Sequence, residues 1–174
     1  MSRTKYYIAY GSNLHVAQMQ RRCPGAVAVG TGWLDGWRLA FRGSKTGAYL
    51  TIVPDKDGRV PVGIWKIDAE HERALDRYEG YPTFYGKKTV RIQMELLHPT
   101  ERAARRTVNA MVYIMDARCL PGNPSREYIR TCAVGYKCFG LREEYLTAAI
   151  EEAWEETGEK ARWTRPVRRE VKAG

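Results

Sequence analysis

The sequence predicts an α+β fold, on three observations. Segments of strand character dominate the first two thirds of the chain, and helical periodicity dominates the end. The two kinds do not alternate as strand–helix–strand units, as a parallel α/β sheet requires. The length of 174 residues suits one domain with a sizeable core, or at most a domain with an appendage. The division read here is a domain over residues 1–158 and a basic tail over residues 159–174.

The elements follow in order. Tyr6 to Tyr10 reads as a buried-type strand that breaks at Gly11-Ser12-Asn13. Leu14 to about Arg22 reads as a short helix, stopped by Pro24 and Gly25. Residues 26–41 hold one or two strands, interrupted near Asp35-Gly36. Ala48–Val53 is a strand, and Pro54-Asp55-Lys56-Asp57-Gly58 is a turn into another, Val60–Ile67. Asp68 caps a helix running to Tyr78, Glu70 and Glu72 favour its first turn, and Gly80 fits its end. Two long strands, Lys87–Leu97 and Thr107–Met115, pair antiparallel across a basic loop. Residues 121–124 form a loop, and Ser125 caps a helix that carries Ile129, Cys132, Ala133 and Tyr136 on one face. Tyr145, Leu146, Ala149, Ile150, Ala153 and Trp154 form the apolar stripe of a last helix. Beyond Gly158 the chain is polar and basic, either a closing strand around Ala161–Thr164 or a frayed tail.

Composition narrows the class. Hydrophobic content of 44% and charged content of 28% are those of a soluble globular protein. No apolar stretch approaches the ~20 residues that span a bilayer, and the apolar run after Lys5 is too short for a signal peptide. A cytoplasmic location and no membrane partner are the default expectation. Cys23, Cys119, Cys132 and Cys138 form no Cys-x-x-Cys pair, so neither a zinc nor a redox site is expected. The net charge of +9 concentrates at Arg102, Arg105 and Arg106 and in the tail, without interleaved aromatics or a recognisable nucleic-acid module. It reads as solvated charge, and no nucleic-acid partner is expected.

Two segments carry chemistry. A strand that breaks at Gly11-Ser12-Asn13 and enters a helix leaves backbone N–H groups at the positive end of the helix dipole, an anion site. The plain alternative is a tight turn with Ser12 or Asn13 as N-cap. The second segment is Leu75-Asp76-Arg77-Tyr78-Glu79-Gly80. Glu79 stands at the carbonyl end of a helix and is followed by Tyr81, Phe84 and Tyr85; the dipole and an apolar surround both favour its protonated form. Such a carboxyl can exchange a proton near neutral pH; the alternative is a solvated surface glutamate. Asp76 reads as a tether for the helix end. His15, His71 and His98 are scattered and read as solvated or capping residues. Ser12 has no histidine and aspartate placed to make a triad.

The paired segments, Tyr10-Gly11-Ser12-Asn13-Leu14 and Leu75-Asp76-x-x-Glu79-Gly80 followed by Tyr85 and Val90, resemble the gamma-glutamylcyclotransferase family and its AIG2-like relatives. Thr51-Ile52-Val53, Val62-Gly63-Ile64-Trp65-Lys66, Pro124-Ser125-x-x-Tyr128, Gly135 and Gly140-Leu141 continue the resemblance, which runs in order from about Tyr6 to Tyr145. Tyr81-Pro82-Thr83-Phe84-Tyr85 is nearer the bacterial and AIG2-like branch than the glutathione-metabolising animal enzymes.

The resemblance implies a small mixed β-barrel with surrounding α-helices and a cavity at one end. It implies that the free α-amine of a γ-glutamyl group attacks its own side-chain carbonyl, forming 5-oxoproline and releasing an amine or amino acid. Glu79 would be the general acid/base. Tyr10, Gly11, Ser12, Asn13 and Leu14 would bind substrate through the turn, with Tyr85 and Tyr128 orienting it or serving as half-buried aromatics. The partner would be a small-molecule γ-glutamyl substrate, with no metal and no cofactor, in a monomer or a homodimer. Two other readings stay open: a non-catalytic binding module on the same fold, and removal of a γ-glutamyl group from a biosynthetic intermediate.

Overall fold

A computed structural model describes residues 4–44 and 47–158. The tail from residue 159, with its expected closing strand, lies outside the described residues. The fold is mixed α+β, with one six-stranded sheet and four α-helices among the described residues. Strand β1 (Lys5–Ala9) leads through a single 3-10 turn (Ser12–Leu14) into α1 (Val16–Arg22). Strands β2 (Val27–Ser44) and β3 (Gly47–Ile67) form one long antiparallel hairpin. Helix α2 (Ala69–Glu79) follows, then β4 (Tyr85–Thr100), β5 (Ala103–Met115) and a two-residue β6 (Leu120–Pro121). Helices α3 (Arg126–Phe139) and α4 (Glu144–Thr157) complete the described chain.

The strand order is β3-β1-β5-β4-β2-β6, and β2 also pairs with β3. Neighbours therefore run round a ring of pairings. The parallel pair is β1–β5, with Tyr7 opposite Met111; the others are antiparallel. The β2–β4 pairing that closes the ring covers only Gly30 with Leu96 and Thr31 with Glu95.

Two expected boundaries change. Residues 54–58 do not reverse the chain between separate strands, because Val53 and Val60 both pair with β2, at Arg38 and Leu34. The register passes from Trp37–Pro54 to Asp35–Arg59, so the extra residues loop out as a bulge opposite Gly36. Asp57 N–H donates to Asp55 Oδ1 there, a local turn bond that mimics a reversal in sequence. The first helix also starts later than Leu14. The 3-10 turn intervenes, and His15 rather than Ser12 or Asn13 caps α1, its Nδ1 accepting from Gln18 N–H at 3.3 Å.

The core lies inside the ring and under the helices. Trp65, Phe41, Ile8, Leu14, Ile64 and Tyr136 are among its fully buried side chains. Helix α4 packs on β2, with Tyr145 edge-on to Trp33 at 5.2 Å and Glu152 taking Arg38. Helix α2 is fixed at both ends. Asp68 accepts from the N–H groups of Glu70 and His71, both at 2.9 Å, and His71 returns the bond, completing a capping box. Near its end, Asp76 accepts from the Tyr113 hydroxyl at 2.6 Å and from Lys87, which also bonds Glu72 at 2.8 Å. Asp76 thus tethers α2 to β4 and β5 and sets where Glu79 stands.

Candidate active site

Glu79 is the last residue of α2, and Gly80 ends the helix in the left-handed conformation, at φ 65°. A side chain is strained there, so glycine at this position lets the helix stop cleanly beyond Glu79. The carboxylate faces a cavity of about 230 Å³ lined by the strand end, the 3-10 turn, the end of α2, Tyr49-Leu50 of β3 and Phe84-Tyr85. Among the described residues Glu79 is the one charged side chain in its lining; the rest is mostly aromatic, including Tyr7, Tyr49, Tyr78, Phe84 and Tyr113. Burial among these rings raises the Glu79 pKa from 4.5 to about 7, against the opposing pull of Arg22 and Asn13.

The structure brings Tyr10, Gly11, Ser12, Asn13, Glu79, Tyr85 and Tyr128 into this one lining. Asn13 holds the site's centre. Its Nδ2 donates to Glu79 Oε1 at 2.9 Å and to the Tyr7 hydroxyl at 2.8 Å. Its Oδ1 accepts from Arg22, and its carbonyl accepts from Trp65 Nε1 at 3.0 Å. Ser12 Oγ lies 3.2 Å from the Tyr78 hydroxyl, so it joins the turn to α2. Tyr10 donates to the Tyr113 carbonyl at 2.7 Å.

Tyr85 and Tyr128 bracket one residue of β3, Leu50. The Tyr85 hydroxyl donates to the Leu50 carbonyl at 2.8 Å, and Leu50 N–H donates to the Tyr128 hydroxyl at 3.1 Å. Among the described residues this part of β3 pairs only with β2, so the two tyrosines satisfy backbone groups on its other edge. Burial drives the pKa of Tyr7, Tyr85 and Tyr128 well above the usual value, so all three stay protonated. Gly11 allows a close approach: a Cβ there would sit 3.1 Å from the Tyr128 hydroxyl, which would have to shift by a few tenths of an ångström.

Leu14 stands apart from the expected set. It is fully buried and absent from the cavity lining, packed between β3 and α3, where Cβ atoms at Gly63 and Gly135 would meet it at 2.6 and 2.5 Å. Its N–H is taken by the Gly11 carbonyl at 3.0 Å. Since that is the first bond of the turn, Ser12 and Asn13 carry the N–H groups left open at its start. The dipole of α1 does not reach this point, because α1 begins at Val16.

Sequence reasoning missed Tyr7, Tyr49, Leu50, Tyr78 and Tyr113 in the lining, and Arg22 beside it. Tyr78 carried a usable signal, being next to Glu79 in the chain; strand tyrosines carried none, since their direction depends on register. Tyr81, expected in the apolar surround, instead lies 41% exposed with the Lys87 amine 4.2 Å from its ring. Among the described residues no group of three or more His, Cys, Asp or Glu side chains is placed to hold a metal ion. No described helix is long and apolar enough to cross a membrane.

Comparison with known proteins gives one consistent result. A family model described as gamma-glutamyl cyclotransferase, AIG2-like, matches residues 7–152. A gamma-glutamylcyclotransferase of Bos taurus is 27% identical over 146 residues, covering 80% of this chain and 73% of that protein. A solved structure described as gamma-glutamyl cyclotransferase superposes with a TM-score of 0.66 at 26% identity, over 84% of this chain and 86% of that one. An uncharacterised Homo sapiens protein superposes with a TM-score of 0.63 at 25% identity, over the same shares.

Proposed function

The chain belongs to the AIG2-like gamma-glutamyl cyclotransferase family, and we propose that it is an enzyme of that type, releasing 5-oxoproline from a γ-glutamyl amine or γ-glutamyl amino acid. The observation that carries the proposal is that Glu79, the one carboxyl group among the described residues of the lining, faces an aromatic cavity beside the turn at Ser12-Asn13.

The reaction needs an intramolecular attack. The substrate's α-ammonium gives a proton to the Glu79 carboxylate, and the freed amine attacks the γ-carbonyl carbon. A carbon–nitrogen bond forms in the five-membered ring. The bond to the leaving nitrogen breaks as Glu79 returns a proton to it. In sum two protons pass from the attacking nitrogen to the leaving one, and the lactam and a free ammonium group result. A pKa of about 7 suits a group that must take and return a proton near neutrality. No protein nucleophile is required, because folding the substrate on itself supplies the proximity.

The turn offers N–H groups of Ser12 and Asn13 for the substrate's α-carboxylate or for the oxyanion that develops at the carbonyl. The test is 5-oxoproline release from a panel of γ-glutamyl compounds, by wild type and by Glu79→Gln. Turnover that survives the substitution would remove Glu79 from this role. A cytoplasmic location, and a monomer or homodimer without nucleic-acid or membrane partners, complete the proposal.

A further inference from the structure

Arg22, the last residue of α1, lies outside the cavity lining yet touches two residues that form it. Its guanidinium carbon sits 3.4 Å from the ring centroid of Tyr78, and its Nη1 donates to Asn13 Oδ1. A guanidinium has donors and no acceptor. It therefore decides which end of the Asn13 carboxamide faces it. The oxygen turns to Arg22, and the nitrogen turns to Glu79 and Tyr7. The two orientations of that amide suit opposite states of Glu79. An N–H aimed at Oε1 favours the carboxylate; an oxygen aimed there repels the carboxylate and accepts from the acid.

We infer that Arg22 is a positioning residue that locks the Asn13 carboxamide in the orientation that keeps Glu79 ready to accept a proton. The inference rests on the proposed role of Glu79 as proton carrier. Arg22 is held for this task from both sides, by the Tyr78 ring and by the Asn13 oxygen, and Ser12 ties Tyr78 back to the turn. Around Glu79 stand tyrosines whose ionisation its charge opposes: Tyr7 from β1, Tyr10 just beyond that strand, Tyr85 from β4, Tyr113 from β5 and Tyr128 from α3. Burial keeps all of them neutral, and Arg22 is the cation whose charge pulls the Glu79 pKa down.

The test titrates the Glu79 carboxyl by carbon-13 NMR in ligand-free protein, with Glu79→Gln assigning the resonance, in wild type, Arg22→Gln and Arg22→Lys. The pH profile of kcat/KM is measured on the same proteins. In Arg22→Gln the midpoint rises by about one pH unit, because a glutamine accepts as readily as it donates and carries no charge. Its lost rate returns as pH is raised, which a collapsed site would not allow. Arg22→Lys, also a pure donor and a cation, stays near wild type. A wild-type midpoint in Arg22→Gln, or a shift in Arg22→Lys equal to that in Arg22→Gln, overturns the inference. Arg22→Met replaces Arg22→Gln if the latter does not fold. A shifted NMR midpoint with no turnover of any γ-glutamyl compound upholds the hold of Arg22 on Glu79 and sinks the proposed activity.

Discussion

Asn13 Nδ2 lies 2.9 Å from Glu79 Oε1, joining the turn after β1 to the end of α2 across 66 residues of chain. Neither residue is held by its own element alone. Asn13 is fixed by Trp65 and Arg22, and Glu79 is placed by an α2 that Asp76 tethers to Lys87 and Tyr113. The site is therefore a junction of elements, and its chemistry depends on packing some distance away.

Glu79 should leave a mark on stability. Its pKa rises from 4.5 to about 7 on folding, so the folded state binds the proton more tightly than the unfolded chain. Its contribution is fully present below the unfolded pKa and is lost as pH rises through the folded one, between about 4.5 and 7. Thermal melts across this range test it. Wild type loses ground relative to Glu79→Gln as pH rises, and the two differ most above 7; parallel melting curves across the range would contradict the shift.

Gly135→Ala should destabilise the protein although alanine is the better helix former by about 1 kcal/mol. A Cβ at that position would meet Leu14 Cβ at 2.5 Å and the His15 nitrogen at 2.7 Å. Overpacking of this kind costs about 1–3 kcal/mol, and it pushes α3 off the turn that carries Ser12 and Asn13. Chemical denaturation checks the sign; a gain in stability would mean that α3 has room to move.

Gly11→Ala should lower activity about tenfold or more, by displacing the Tyr128 ring from the cavity wall, since small misplacements at a site cost this much. Its added Cβ falls 3.1 Å from the Tyr128 hydroxyl. Tyr128→Phe removes that oxygen and leaves Leu50 N–H unpaired, at about 1–3 kcal/mol of stability. The double variant should lose less activity than the product of the single losses. Strict multiplicativity in kcat/KM would show that the two positions do not meet.

Much of this arrangement was legible in the residues themselves. Asp68 and Gly80 bound a helix by local chemistry, and that alone put Glu79 at its carbonyl end. The break at Gly11-Ser12-Asn13 was equally local. What escaped notice was set by distant partners. Leu14 reads as a turn residue until Gly63 and Gly135 bring β3 and α3 against it. Tyr7 and Tyr113 reach the cavity through the parallel pairing of β1 with β5, which no short-range pattern announces. Asp55-Lys56-Asp57-Gly58 has the composition of a reversal but forms a bulge, because the strands on both sides share β2 as their partner. Leu120–Pro121 is too short, and too rich in proline, to read as a strand.

The most direct measurement of the central claim is the initial rate of 5-oxoproline formation from a γ-glutamyl substrate, in wild type and in Glu79→Gln, across pH 5 to 9. Wild type should gain activity as pH rises through about 7, as Glu79 ionises. Glu79→Gln should be slower by about 10²–10⁴-fold, with that ionisation gone from its profile. A Glu79→Gln protein that forms 5-oxoproline at the wild-type rate, with the same inflection near neutrality, would contradict the account.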